Sequence, residues 1–219
     1  MRIGFIGRGQ VSNYSENLGE GADVLVFGFD GETEISYEKE LKGESTFFED
    51  ATRLSKRENN VVVCGCVTDT LGIRRKSALV AVGGKLLGVS DMLNAVDGEF
   101  GAGAGLRVYD TKVGKMGVVV AEDLCFPETA RVLSLCGSDF IVCPFGIAND
   151  NLQKTLVCAN AYFSGTPVFF CGNRACMVAE SSGELAFSSP HSPVYFDCIA
   201  KQEYHLIETR RKGSFGARV

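Results

Sequence analysis

The chain has 219 residues, enough for one fully cored domain, and its 45% apolar and 10% aromatic content exclude a disordered or collagen-like polymer. A formal charge of −5, with no basic run interleaved with aromatics, argues against nucleic acid or an anionic membrane as partner. The nine cysteines are odd in number and lie mostly in apolar runs such as "VVVCGCV" and "VFFCG", which fits free thiols in a reducing cytoplasm rather than a disulfide framework.

The first element, "RIGFIG" (2–7), reads as a strand and lacks the long apolar core of a secretion signal; no later stretch has the apolar length of a bilayer span. "DVLVFGF" (23–29) predicts a second strand. "STFFEDATRLSKR" predicts a helix with Phe47, Phe48, Ala51 and Leu54 as its apolar stripe and Thr46 with Glu49 as a capping box. Strands follow at 60–67 and 77–82, then "GKLLG" and the glycine-rich loop "DGEFGAGAGL" (97–106). Two more strands, 106–110 and 115–121, precede a helix at "FPETARVLSLCG", with Pro127 at its first position, Glu128 in its first turn and Gly137 beyond its end. A strand at 139–145 leads to "NDNLQKTLVCANAYFSG", a predicted helix capped by Asn149 or Asp150, with its stripe through Leu152, Leu156 and Phe163 and its stop at Gly165. Strands at 167–172 and 204–210 complete the pattern. Several of these runs are continuously apolar, as strands covered on both faces are, and their alternation with helices predicts one layered α/β domain over 1–219.

No metal or cofactor is expected. Cys64-Gly-Cys66 has the wrong spacing for a CxxC pair, and His191 and His205, the two histidines, lie far from it. The G-x-G-x-G run inside 97–106 is followed by no helical pattern, so it does not support a dinucleotide site.

The junction "GKMGVVVAEDLCFPETARVL" (114–133) joins an apolar strand, two carboxylates and a Pro-started helix, the layout of a turn that holds a nucleophile up for attack. Together with "GADVLVFGF", "GKLLG", the block from Glu99 to Phe145 and "GTPVFFCGNR", this stretch resembles the nitrilase, or carbon–nitrogen hydrolase, superfamily over most of 1–210. The resemblance implies a four-layer αββα sandwich with mixed sheets, commonly packed as a homodimer. It also implies a cysteine nucleophile, a glutamate proton shuttle and a lysine that stabilises negative charge. Matched residue by residue, the glutamate position is Phe29, the lysine position Met92 and the cysteine position Ala121. No lysine occurs from 86 to 111, and the family's additional pocket glutamate, expected near Val96, is not clearly matched. Replacing all three polar groups together leaves none of them buried and unpaired, a cost of about 1–3 kcal/mol each. It predicts an apolar, smaller cavity.

Four residues offer themselves as substitutes. Cys125 lies four residues beyond Ala121 and is the one nucleophile near the elbow; its bland reading is a small residue before the helix. Asp30 neighbours Phe29, although one step along a strand reverses side-chain direction. Glu122 and Asp123 flank the elbow and are expected to form structural hydrogen bonds there. Asn173 and Arg174 end a buried strand, where they could bind a ligand or satisfy the strand end. Lys85 reads as a solvated hairpin residue and "TRRKG" (209–213) as a solvated basic stretch.

The expectation is a member of the superfamily without its catalytic triad, acting in the cytoplasm by binding a small molecule or a protein. The alternative is an amidase-type hydrolase of a small amide or nitrile using Cys125. A purely structural protein would have no ligand-sized pocket between its sheets.

Overall fold

Consecutive apolar residues along a strand must be covered on both faces, and that requirement organises this molecule. The computed structural model describes residues 1–14, 21–30, 34–96, 98–148 and 150–199. The first half of the chain supplies β1 (Arg2–Ile6), β2 (Val24–Phe27), β3 (Glu34–Ser36), α1 (Tyr37–Lys42), α2 (Phe47–Arg57), β4 (Val61–Thr70), β5 (Ile73–Val82) and β6 (Lys85–Asp91). The second half supplies β7 (Val108–Thr111), β8 (Gly114–Val118), α3 (Pro127–Leu135), β9 (Phe140–Pro144), α4 (Asp150–Ser164), β10 (Val168–Cys171), β11 (Cys176–Ala179), β12 (Leu185–Ser189) and β13 (Val194–Asp197).

Among the described residues one sheet runs β13-β1-β2-β4-β5-β6, with β3 also on β4, and the other runs β12-β11-β10-β9-β8-β7. Both are mixed: β1, β2 and β4 are parallel, as are β8, β9 and β10, and antiparallel strands flank them.

Alternation along the strands assigns side chains to layers. Val24 and Val26 of β2, Phe140 and Val142 of β9, and Phe169 and Cys171 of β10 meet between the sheets. Their neighbours Ile141, Cys143, Val168 and Phe170 turn outward beneath α3 and α4, where Ala130, Leu133, Val157 and Ala161 cover them. Leu25 and Phe27 turn the other way, against Ala51 and Leu54 of α2. The result is the four-layer αββα sandwich, and no helix among the described residues is long and apolar enough to cross a membrane.

The two sheets touch where strands end. Phe29 N donates to Phe145 O (3.0 Å) and Phe145 N to Cys171 O (2.8 Å), stitching the end of β2 to the ends of β9 and β10. Gly7 makes the approach possible: a Cβ there would stand 2.2 Å from Gly172 O. The glycine-rich loop is also a close-packed feature. Gly101 N bonds Arg74 O (2.7 Å), Gly103 N bonds Met92 O (2.8 Å), and a Cβ on Gly103 would stand 2.8 Å from that of Asp91.

Several local expectations need correction. The capping box at Thr46 does not form: Glu40 of α1 reaches over instead, accepting from Phe47 N (3.0 Å) and Phe48 N (3.3 Å), while Thr46 Oγ1 bonds Asp50. Of the stripe expected on α4, Leu152 and Phe163 face outward, 53% and 52% exposed, while Leu156 is partly buried against the core. The inner face is Gln153, Val157, Asn160, Ala161 and Ser164, because α4 lies close enough for Asn160 Nδ2 to bond Leu124 O and for Ser134 Oγ to bond Ser164 O. The strand expected over 115–121 ends at Val118, and β5 begins at Ile73 rather than Ser77. Strands β3, β11, β12 and β13 were not expected from sequence; they are short, and the last two are only half buried. Asn149, the strand at 204–210 with His205, and 209–213 lie outside the described residues.

Candidate functional site

The elbow is built from β8, whose apolar continuation Val119-Val120 is buried and enters a 3-10 turn at Ala121–Cys125 before Pro127 opens α3. Ala121 is 1% exposed and sits at φ +49°, the left-handed region. Holding an L-residue other than glycine there costs about 1–2 kcal/mol, so the surrounding structure must enforce the turn. Asp123 is a principal means. It is 1% exposed, and its carboxylate accepts from Leu93 N (2.8 Å), Asn94 N (2.9 Å) and Asn94 Nδ2 (2.8 Å), while Thr129 Oγ1 bonds its carbonyl oxygen (2.8 Å). These bonds fasten the segment after β6 to the elbow.

In front of the elbow opens a cleft of about 440 Å³. Phe29, Val67, Phe100 and Ile147 form apolar walls, and Ala121 and Gly146 complete the backing. Among the described residues the polar lining is Lys76, Glu99, Glu122 and Asn173. The space is therefore ligand-sized and charged, not the apolar remnant expected from Phe29, Met92 and Ala121.

Lys76 and Glu122 meet inside it. Lys76 extends from β5, Glu122 from the elbow, and the ammonium lies 2.8 Å and 2.9 Å from the two carboxylate oxygens. Strand alternation brings Arg74 to the same face as Lys76; their cationic heads lie 5.3 Å and 5.1 Å from the Phe100 ring centroid, within cation–π range. Arg74 also bonds Glu99 at 2.8 Å and lies 3.0 Å from Glu34, so this second carboxylate of the cleft shares a cation outside the Lys76–Glu122 pair.

Of the three positions that the resemblance matches to the triad, Phe29 and Ala121 line the cleft and Met92 is not among its lining residues. Met92 is fully buried in the core between the sheets. The Phe29 ring lies over Gly65, where a Cβ would stand 2.6 Å from it. Asp30 faces a different recess, with Gly9 and Val11, and accepts from Gly9 N at 2.6 Å; the reversal of direction after Phe29 takes it away from the cleft. Cys125 is exposed and is not among the lining residues, and partial desolvation followed by the nearby Glu122 charge pushes its thiol up. Asn173 lines the cleft and accepts from Arg8 Nε at 2.8 Å, whereas Arg174 is exposed outside it. Lys85 and His191 are exposed as well, and Val96 is 60% exposed. No cysteine is among the residues lining the cleft, and among the described residues no cluster of His, Cys, Asp or Glu is placed to hold a metal.

Sequence reasoning missed Lys76 and Glu99. Reading the strand as starting at Ser77 left Lys76 outside it, although "IRRKSALVAV" continues as one strand from Ile73. Glu99 was hidden in a loop whose path is set by backbone contacts of Gly101 and Gly103.

A family model described as carbon-nitrogen hydrolase matches residues 24–195. A probable nitrilase from Schizosaccharomyces pombe is 24% identical over 149 residues, covering 60% of this chain and 51% of that protein. Citrullinase from Francisella tularensis is 35% identical over 81 residues, covering 33% of this chain and 28% of that protein. The matches thus span about half, or less, of those proteins' lengths. Among solved structures, an amidase from Nesterenkonia, in a form carrying acrylamide at its active-site cysteine, aligns with TM-score 0.72 and 16% identity over 96% of each chain. A carbon-nitrogen hydrolase from Helicobacter pylori aligns with TM-score 0.70 and 17% identity, covering 89% of this chain and 87% of that one. At such identities these structures speak for the fold.

Proposed function

This chain belongs to the carbon–nitrogen hydrolase family, the nitrilase superfamily, and on that premise we propose that it is a non-catalytic member that binds a small molecule at the elbow cleft. The observation that carries the reading is the elbow itself. Its left-handed backbone is of the kind that presents a nucleophile, yet the side chain there is the methyl of Ala121. A hydrolase of this family type needs an attacking thiolate, and Cys125 is an exposed thiol outside the cleft with its ionisation held back by partial desolvation and by Glu122. Lys76 and Glu122 retain a cation and a carboxylate in the cleft but are paired with each other.

The same reading places the protein in the cytoplasm as a homodimer. In its support, all nine cysteines are free, and Val132 (42% exposed), Leu152 (53%), Tyr162 (41%) and Phe163 (52%) give α3 and α4 an apolar outer surface that a second copy could cover.

The test is ammonia release from a panel of small amides and nitriles. No turnover above the uncatalysed rate is expected. Enzyme-like turnover that disappears in Cys125→Ala would overturn the proposal in favour of an amidase-type hydrolase working through Cys125.

A further inference from the structure

The ion pair in the cleft is made by the tertiary fold alone. Lys76 and Glu122 are 46 residues apart, come from opposite sheets and bridge the space between them. Their side chains are 21% and 29% exposed, so the pair stands in the cleft rather than on the open surface. Both Glu122 oxygens accept from Lys76 Nζ, and the neighbouring Glu99 is held by Arg74. Among the described residues the cleft therefore presents the Lys76 ammonium and the Glu122 carboxylate side by side, with Glu99 turned to Arg74, against the walls of Phe29, Val67, Phe100 and Ile147.

What can enter such a place follows from charge compensation. An anion would take Lys76 and leave Glu122 partly desolvated and unpaired; a monocation would do the reverse to Lys76. A neutral amide could touch both, but its dipole would replace a charge-assisted contact with a weaker one at each end. Only a ligand carrying both charges replaces each half of the pair with its equal. The cleft volume of about 440 Å³ lies within the range of small-molecule sites, roughly 300–1,000 Å³.

Resting on the binding role proposed above, we propose that the cleft takes a zwitterion of the α-amino-acid kind. Its carboxylate accepts from Lys76 Nζ, its ammonium donates to the Glu122 carboxylate, and its side chain lies along the apolar walls. No bond is made or broken; the ligand separates the ion pair and takes its place on each side.

The experiment is a thermal-shift and NMR titration of the full chain with glycine, L-norvaline and L-phenylalanine. Each is compared with the amine left by removing its carboxylate, the acid left by removing its ammonium, and the uncharged amide of that acid. At least one amino acid is expected to raise the melting temperature and to perturb resonances of the cleft, while its three relatives at equal concentration do neither. Lys76→Gln and Glu122→Gln are each expected to weaken that binding by about tenfold or more. The inference is overturned if none of the amino acids binds, if an amine, acid or amide binds as well as its parent, or if both variants bind undiminished. Comparing the ligands on the unaltered protein decides the matter even where a variant fails to fold. Failure of the non-catalytic reading would register separately, as ammonia release from amides or nitriles.

Discussion

Asp123→Ala offers the most direct test of how the elbow is held. The carboxylate is 1% exposed and accepts three hydrogen bonds from Leu93 and Asn94. Those donors are only part-buried, so water can recover some of what they lose. At about 1 kcal/mol for each contact, below the ~1.5–3 kcal/mol of bonds to a charged acceptor because of that recovery, the loss is about 3 kcal/mol. That is a large share of the ~5–15 kcal/mol that holds a typical domain together. Asp123→Asn should cost less, about 1–2 kcal/mol, because one oxygen remains but an amide NH₂ then faces a donor. Glu122→Ala is the comparison: its ion pair is part-buried, 29% exposed on the carboxylate side, and losing it should cost about 1–2 kcal/mol, less than the Asp123 contacts. The assay is urea denaturation, in which the midpoint should fall at unchanged slope. A loss below about 1 kcal/mol in Asp123→Ala, or one no larger than in Glu122→Ala, would refute the idea that this carboxylate fastens the elbow.

Three further outcomes are expected. Gly65→Ala should destabilise by about 1–3 kcal/mol because the new methyl would stand 2.6 Å from the Phe29 ring, and Phe29→Ala should remove most of that cost. A double-mutant cycle checks this, and simple additivity would contradict it. Glu122→Gln should move the Cys125 alkylation profile to lower pH: burial and then the Glu122 charge raise this thiol, so removing the charge lets more thiolate form at a given pH. Site-resolved mass spectrometry would show whether the profile stays put, which would dismiss Glu122 as a cause. If a second copy covers α3 and α4, Phe163→Glu should convert dimer to monomer in sedimentation while changing chain stability by no more than about 0.5 kcal/mol; an unaltered mass would reject that face.

Much of the architecture was legible because it depends on local covering of apolar residues. Val24-Leu25-Val26-Phe27 and Phe140-Ile141-Val142-Cys143 announce strands buried on both faces, and alternation then distributes them between two cores. Pro127 fixes the start of α3, and Gly137 follows its end at φ +94°. The apolar residues of α4 misled, because hydrophobicity marks what a helix can bury and not which side it buries. There the close approach to the elbow and α3 favours Ala161 and hydrogen-bonded Asn160 on the inside, and leaves Phe163 outside.

By itself the sequence determined the layered α/β fold, the elbow and the identity of its residue, since each depends on neighbours close along the chain. Only the tertiary structure decided the charge of the cleft. Lys76 and Glu122 are distant in sequence, and an ion pair between them exists because one sheet is laid over the other with β5 opposite the elbow. Long-range electrostatics of this kind depends on through-space distance, which no local pattern of residue types encodes.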